Sequence, residues 1–165
     1  MSPRASVLEL ARIGAVVGLD VRVHAYPGGD PLRDSGQLRV TDRLRPRLHP
    51  GIGLRAEVPL PTAGDRRAWD LWLSGLIDGE RRRAMPAEVE SRISDAQAQI
   101  RKLTLKMRDA GIDDVLLVVA DTPANLRAIA AAWSMIGSLF PISQRRALSA
   151  LAEGRYPGGS SLIFI

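Results

Sequence analysis

Four carboxylates fall on three consecutive strand-like segments: Glu57, Asp70, Glu88 and Glu90. Glu88 and Glu90 flank Val89, so on an extended chain they share one face and Val89 takes the other. Asp70 sits between apolar Trp69 and Leu71, and Glu57 between Ala56 and Val58. Acids gathered on one face repel each other, and a hard divalent cation such as Mg²⁺ or Mn²⁺ relieves that repulsion through oxygen ligands. A metal held there can activate water against a phosphodiester. The competing reading of the same residues is a solvated strand face on which the acids pair with nearby arginines.

The cations are lopsided. Of 23 Lys plus Arg only Lys102 and Lys106 are lysines, and the net charge of +5 favours a polyanionic partner such as nucleic acid. Counted from Glu90 along a helix, Lys102 and Lys106 lie roughly 18 and 24 Å away, beyond the reach of about 6 Å of a lysine side chain. They are therefore expected on a solvated helix stripe with Asp95, Gln99 and Asp109, with phosphate-backbone contact as the alternative. Arg67 is a third candidate for backbone contact. Arg92 and Gln97, within two turns of Glu90, are the expected phosphate-facing groups. His24 and His49 are isolated and read as loop or surface residues.

Other chemistries drop out. The chain has no cysteine, which excludes disulfide scaffolds, Cys-ligated zinc, iron–sulfur clusters and thiol nucleophiles. Gly51-Ile52-Gly53 is a fragment of a dinucleotide loop, and Gly158-Gly159-Ser160-Ser161 precedes a strand rather than a helix, unlike a phosphate loop. No apolar run approaches the ~20 residues that span a bilayer. Arg4, Glu9 and Arg12 break up the segment that would form a signal-peptide core, so a cytoplasmic protein with no membrane partner is expected.

The elements that must position these residues follow from periodicity and punctuation. The chain is 165 residues with 45% hydrophobic and 25% charged residues, which suits one globular domain. Ser6 to Val17 reads as a helix, Leu19 to Tyr26 as a half-exposed strand, and Pro27 to Pro31 as a loop in which Asp30 caps the next helix. That helix, Leu32 to Leu48, carries Arg33, Arg39, Arg43, Arg45 and Arg47, and Pro46 should end or kink it early. Leu54 to Leu60, Arg67 to Leu73 and Ala84 to Glu90 form a meander, the third strand weakened by Pro86. Asp78 to Arg83 is a polar turn. Ser91 to Ala110 is the clearest helix, stopped by Gly111. Val115 to Ala120 reads as a strand buried on both faces. Helices over Thr122 to Leu139 and Ser143 to Ala152, a glycine-rich loop and an apolar strand over Leu162 to Ile165 complete the order. The expectation is an α/β fold with a single mixed β-sheet flanked by helices. An exposed meander edge and the apolar last strand would permit a homodimer through strand pairing.

The placement of Asp70 on the second meander strand and Glu88-Val89-Glu90 on the third resembles the restriction-endonuclease-like fold of the PD-(D/E)xK superfamily, whose core is helix, three-stranded meander, helix, strand, helix. The wording is closer still: Tyr26-Pro27-Gly28-Gly29-Asp30-Pro31, Glu57-Val58-Pro59-Leu60-Pro61, Asp65-Arg66-Arg67-Ala68-Trp69-Asp70, Glu88-Val89-Glu90-Ser91-Arg92, Lys106-Met107-Arg108-Asp109-Ala110-Gly111 and Ala120-Asp121-Thr122. In that order they resemble the C-terminal domain of actinobacterial helix-turn-helix regulators of the xenobiotic-response-element (XRE) type, over residues 5–165. The resemblance implies a remnant-like helix over 1–18, a nuclease-like domain over 19–165, and an association with DNA, regulation or defence. It implies Asp70 and Glu88 as metal ligands for Mg²⁺ or Mn²⁺, with Glu57 and Glu90 as helpers and Arg92 as the cation. Glu90 stands where the nuclease motif has lysine, so the motif is degenerate. The alternatives are a non-catalytic dimerisation, DNA-backbone-binding or small-ligand sensor domain.

Overall fold

The computed structural model describes Arg12, Ile13, Val16, 35–62 and 64–165. The chain divides into two compact units, Met1–Asp30 and Pro31–Ile165. In the first, Arg12, Ile13 and Val16 are helical and exposed. The expected strand over Leu19 to Tyr26, the loop to Pro31 and the Asp30 cap lie outside the described residues.

The second unit is α/β, with one five-stranded mixed sheet in the order β1-β2-β3-β4-β5. Helix α1 (Ser35–Leu44) passes into a 3₁₀ turn at Arg45–Arg47, where Pro46 cannot continue the helix. β1 (Gly53–Pro59), β2 (Ala68–Asp78) and β3 (Arg81–Glu90) form the antiparallel meander. α2 (Ala96–Ala110) leads to β4 (Leu116–Val119), which pairs in parallel with β3. α3 (Pro123–Ile136) and α4 (Gln144–Ala152) precede β5 (Ser161–Phe164), parallel to β4.

Local chemistry sets the boundaries. Asp95 caps α2 by accepting from Ala98 N–H at 2.9 Å, and left-handed Gly111 ends it. Thr122 and Ser143 cap α3 and α4 in the same way. The meander hairpin is longer than its sequence suggests. Asp78 pairs with Arg81, so the turn is only Gly79-Glu80, and a register shift at Ser74/Leu76 accommodates Gly75 at φ 81°. Pro86 is tolerated because the β3–β4 ladder begins one residue later, at Ala87 opposite Leu116.

Two cores sandwich the sheet. Val40, Leu44, Ala147 and Leu151 from α1 and α4 cover Leu71, Leu73, Ala87, Val89, Leu116 and Val118 on one face. Ile100, Leu103, Met107, Ile129 and Ile136 from α2 and α3 cover Trp69, Leu117, Val119 and Leu162 on the other. Every residue of β4 is buried, as a β-branched strand covered on both faces should be. β3 joins two half-sheets: residues 81–87 pair with β2 and residues 87–90 with β4, so Ala87 alone serves both ladders. No described helix is long and apolar enough to cross a membrane.

Candidate active site

The acids meet where β2 leaves β3. The β2–β3 ladder stops at Leu71 opposite Ala87. Trp69 packs in the second core but Leu71, two residues on, packs in the first. Strict alternation would put both on one face, so β2 rolls at Asp70. β1 rolls beside it. Leu54 leans on the first core and Val58 on the second. Glu57, between them along the strand, has φ 51°, a left-handed backbone that residues other than glycine avoid.

Past the roll, no strand among the described residues pairs with the β2 side of β3, and side chains bind its backbone there. Val89 N–H donates to Asp70 Oδ2 at 2.8 Å, and Val89 C=O accepts from Gln37 Nε2 of α1 at 2.8 Å. On the opposite side, Glu90 C=O accepts from Ala120 N–H at 2.9 Å. With Ala87 and Val89 turned into the first core, Glu88 and Glu90 face α2, sharing a face as their spacing predicts. Glu90 accepts from Gln99 Nε2, and Glu88 accepts from Lys106 Nζ. The Lys106 ammonium also donates to Ala68 C=O at 2.6 Å and lies 4.6 Å from the Trp69 ring centre. The Lys106 and Glu88 side chains are 10% and 14% exposed.

Burial pushes Glu88 up to about 7; the Asp70 charge adds to the rise and Lys106 opposes it. Burial also raises Glu90 to about 7, again with Asp70 adding, while Lys102 and Gln99 oppose. Acids that hold protons near neutrality at a crowded strand end mark a candidate functional site.

Lys106 is the main correction to the sequence reading. The roughly 24 Å expected between it and Glu90 took the helix to run outward from the strand. Residues 91–95 instead turn the chain, and α2 returns over β3, so Gln99 meets Glu90 and Lys106 meets Glu88. Of the expected stripe, Gln99 and Lys106 therefore face the sheet, Asp109 is half-exposed beside Arg67, and Asp95 and Lys102 are exposed. Asp109 Oδ2 accepts from Arg67 Nη2 at 2.7 Å, and Arg67 also holds Asp65 at 2.6 Å, so the Arg67 guanidinium is engaged within the protein. Lys106 is buried beside the acids rather than on a solvated helix face. Lys102 is exposed and close enough to influence Glu90. Arg92 and Gln97 are exposed and, among the described residues, make no hydrogen bond or ion pair with the acids. Glu57 is exposed beside Asp70 in the β1–β2 ladder, between the pairs Ala56–Leu71 and Val58–Trp69. Sequence reasoning missed Gln37 altogether. It identified Gln99 by its stripe and placed it on the wrong side.

Mg²⁺ and Mn²⁺ sites often use one or two carboxylates, completed by water and phosphate. Asp70 and Glu88 supply two such groups, the second desolvated and raised by the charge of the first, so the donor set suits a sparse, water-rich site. Among the described residues no group of three acids, histidines or cysteines could hold a metal ion. An apolar groove between α3 and the segment leading into α4, lined by Leu126, Trp133, Phe140, Pro141 and Phe164, is separate from these acids. Comparison with known proteins finds no matching family model, no matching curated protein and no matching solved structure.

Proposed function

We propose that this chain is a restriction-endonuclease-like domain of a DNA-associated regulatory or defence protein, resembling the C-terminal domain of XRE-type regulators, and that the Asp70, Glu88, Glu90 and Lys106 cluster hydrolyses phosphodiester bonds. The observation that carries this reading is the approach of Lys106 to Glu88 beside Asp70. The nuclease pattern needs a cation at its acidic pair, and α2 brings one where Glu90 occupies the strand position. Asp70 and Glu88 would hold Mg²⁺ or Mn²⁺, which when bound polarises phosphate oxygens and acidifies water. Lys106 places an ammonium where charge develops on the phosphate. Glu90, held by Gln99 and titrating near neutrality, is suited to accept a proton from the attacking water. The exposed Lys102 serves as a contact to the nucleic-acid backbone, and the setting is the cytoplasm.

The test is incubation with plasmid and oligonucleotides, with Mn²⁺ or with a chelator. Cleavage should require Mn²⁺, rise with pH through about 7 as Glu88 and Glu90 ionise, and vanish in Asp70→Ala, Glu88→Gln and Lys106→Met. Cleavage left intact in both Asp70→Ala and Glu88→Gln would sink the assignment.

One observation favours a second reading. Glu88, Ala68 C=O and the Trp69 ring already satisfy the Lys106 ammonium. On this reading the ammonium replaces the metal, and the domain grips a nucleic-acid backbone without cutting it. It predicts no cleavage, binding that weakens steeply with salt, and a Mn²⁺ site that appears only after Lys106→Met vacates Glu88.

A further inference from the structure

The Val89 peptide, between the two site glutamates, is held in an unusual way. Side chains from two other elements bind its N–H and C=O: Asp70 from β2 and Gln37 from α1, each at 2.8 Å. A strand residue's N–H and C=O both point toward the same neighbour, and here that neighbour has ended its ladder at Leu71. A buried backbone group left unpaired is costly, so the two side chains together do what a paired strand residue would do, in a place where no described strand pairs. Tilting the Val89 peptide would swing Glu88 on one side and Glu90 on the other.

We propose that Gln37 is a positioning residue: by gripping the Val89 carbonyl it fixes the directions in which Glu88 and Glu90 present their carboxylates. Its catalytic meaning rests on the nuclease reading; its effect on the geometry does not. α1 thereby acts on the site from the opposite face of the sheet, since its Val40 and Leu44 pack in the first core while both glutamates face α2. Partners that orient metal ligands are typically worth 10–100-fold in metal affinity or activity.

The test compares wild type with Gln37→Ala, which removes the donor, and Gln37→Lys, which keeps one. Amide hydrogen exchange is followed residue by residue, and Mn²⁺ affinity is titrated separately. In Gln37→Ala, exchange at Val89 and Glu90 should accelerate at least tenfold while β4 and β5 stay protected. Mn²⁺ should bind roughly tenfold more weakly, and kcat should fall with little change in KM. Gln37→Lys should recover part of each loss. Unchanged exchange at Val89 and Glu90 in Gln37→Ala overturns the proposal. So does acceleration spread evenly over the sheet, which marks a merely structural role. If the wild type neither binds Mn²⁺ nor cleaves, the nuclease reading fails, and the exchange measurement still decides the role of Gln37.

Discussion

Arg67 and Lys106 both tie α2 to the meander, with opposite polarity. Arg67, just ahead of β2, reaches Asp109 of α2 and Asp65 of its own loop; Lys106, three residues before Asp109, reaches back to Glu88 on β3. Each pairs a cation with a carboxylate at close range, yet the acids shift in opposite directions. The Arg67 side chain, through its hydrogen bonds, holds Asp65 down at about 2. Burial lifts Glu88 to about 7 in spite of Lys106. The two acids are similarly covered, Asp65 13% and Glu88 14% exposed, but Asp65 accepts from both the backbone N–H and the guanidinium of Arg67, whereas Glu88 has one ammonium and a neighbouring acid. A nearby cation favours the charged form, but loss of water and a second acid, Asp70, outweigh it at Glu88.

The comparison can be broken most directly at Lys106. Lys106→Met leaves the Glu88 carboxylate buried without its cation and should cost about 4 kcal/mol at pH 8, read from the urea midpoint. Lys106→Met with Glu88→Met should recover most of it. A single variant as stable as wild type would show that water reaches Glu88 freely.

The next largest effect is the pH dependence of the wild type. Glu88 titrates higher folded than unfolded, so the folded state holds the extra proton and stability falls as pH rises from 4.5 to about 7. The Glu88 share of that loss is up to about 3 kcal/mol; Glu90 shifts the same way, so Glu88→Gln should remove only part of the slope and Glu88→Gln with Glu90→Gln should flatten it. Asp65 behaves in the reverse sense. Its pKa falls from 3.8 to about 2 on folding, so its contribution is present above that window and lost as pH drops through it. A smaller effect sharpens the role of Asp70. Asp70→Asn keeps an acceptor for Val89 N–H but removes a charge, so both Glu88 and Glu90 should titrate lower by carboxyl NMR. The smallest belongs to the exposed cluster. Arg67→Ala should barely move the urea midpoint while the Asp65 titration returns toward 3.8.

Element types were largely legible in the sequence because local signals carry them. Gly111, Pro46, Thr122-Pro123 and the apolar run over Val115 to Ala120 each correspond to a feature at that place. The shared face of Glu88 and Glu90 was legible for the same reason: it needs only the strand period. The site as a whole was not. Its cation depends on the direction α2 takes after residues 91–95, a tertiary fact that helical rise cannot supply. The scarcity of lysine pointed at Lys106 and counting along the axis dismissed it. Gln37 left no sequence signal because its role is defined by a strand that stops pairing at Leu71, 27 residues past the end of α1 at Leu44. The extra length of β2 and β3 was hidden by Asp78 to Arg83, which read as a polar turn although only Gly79-Glu80 turns.

Ala87, shared by both ladders, is the splice of two overlapping planks. Beyond this fully buried residue side chains brace the joint: Asp70 and Gln37 hold Val89, and Lys106 ties Ala68 of β2 to Glu88 of β3. The carboxylates at that joint therefore report the alignment of the two planks. Any shift of one plank against the other would change their spacing.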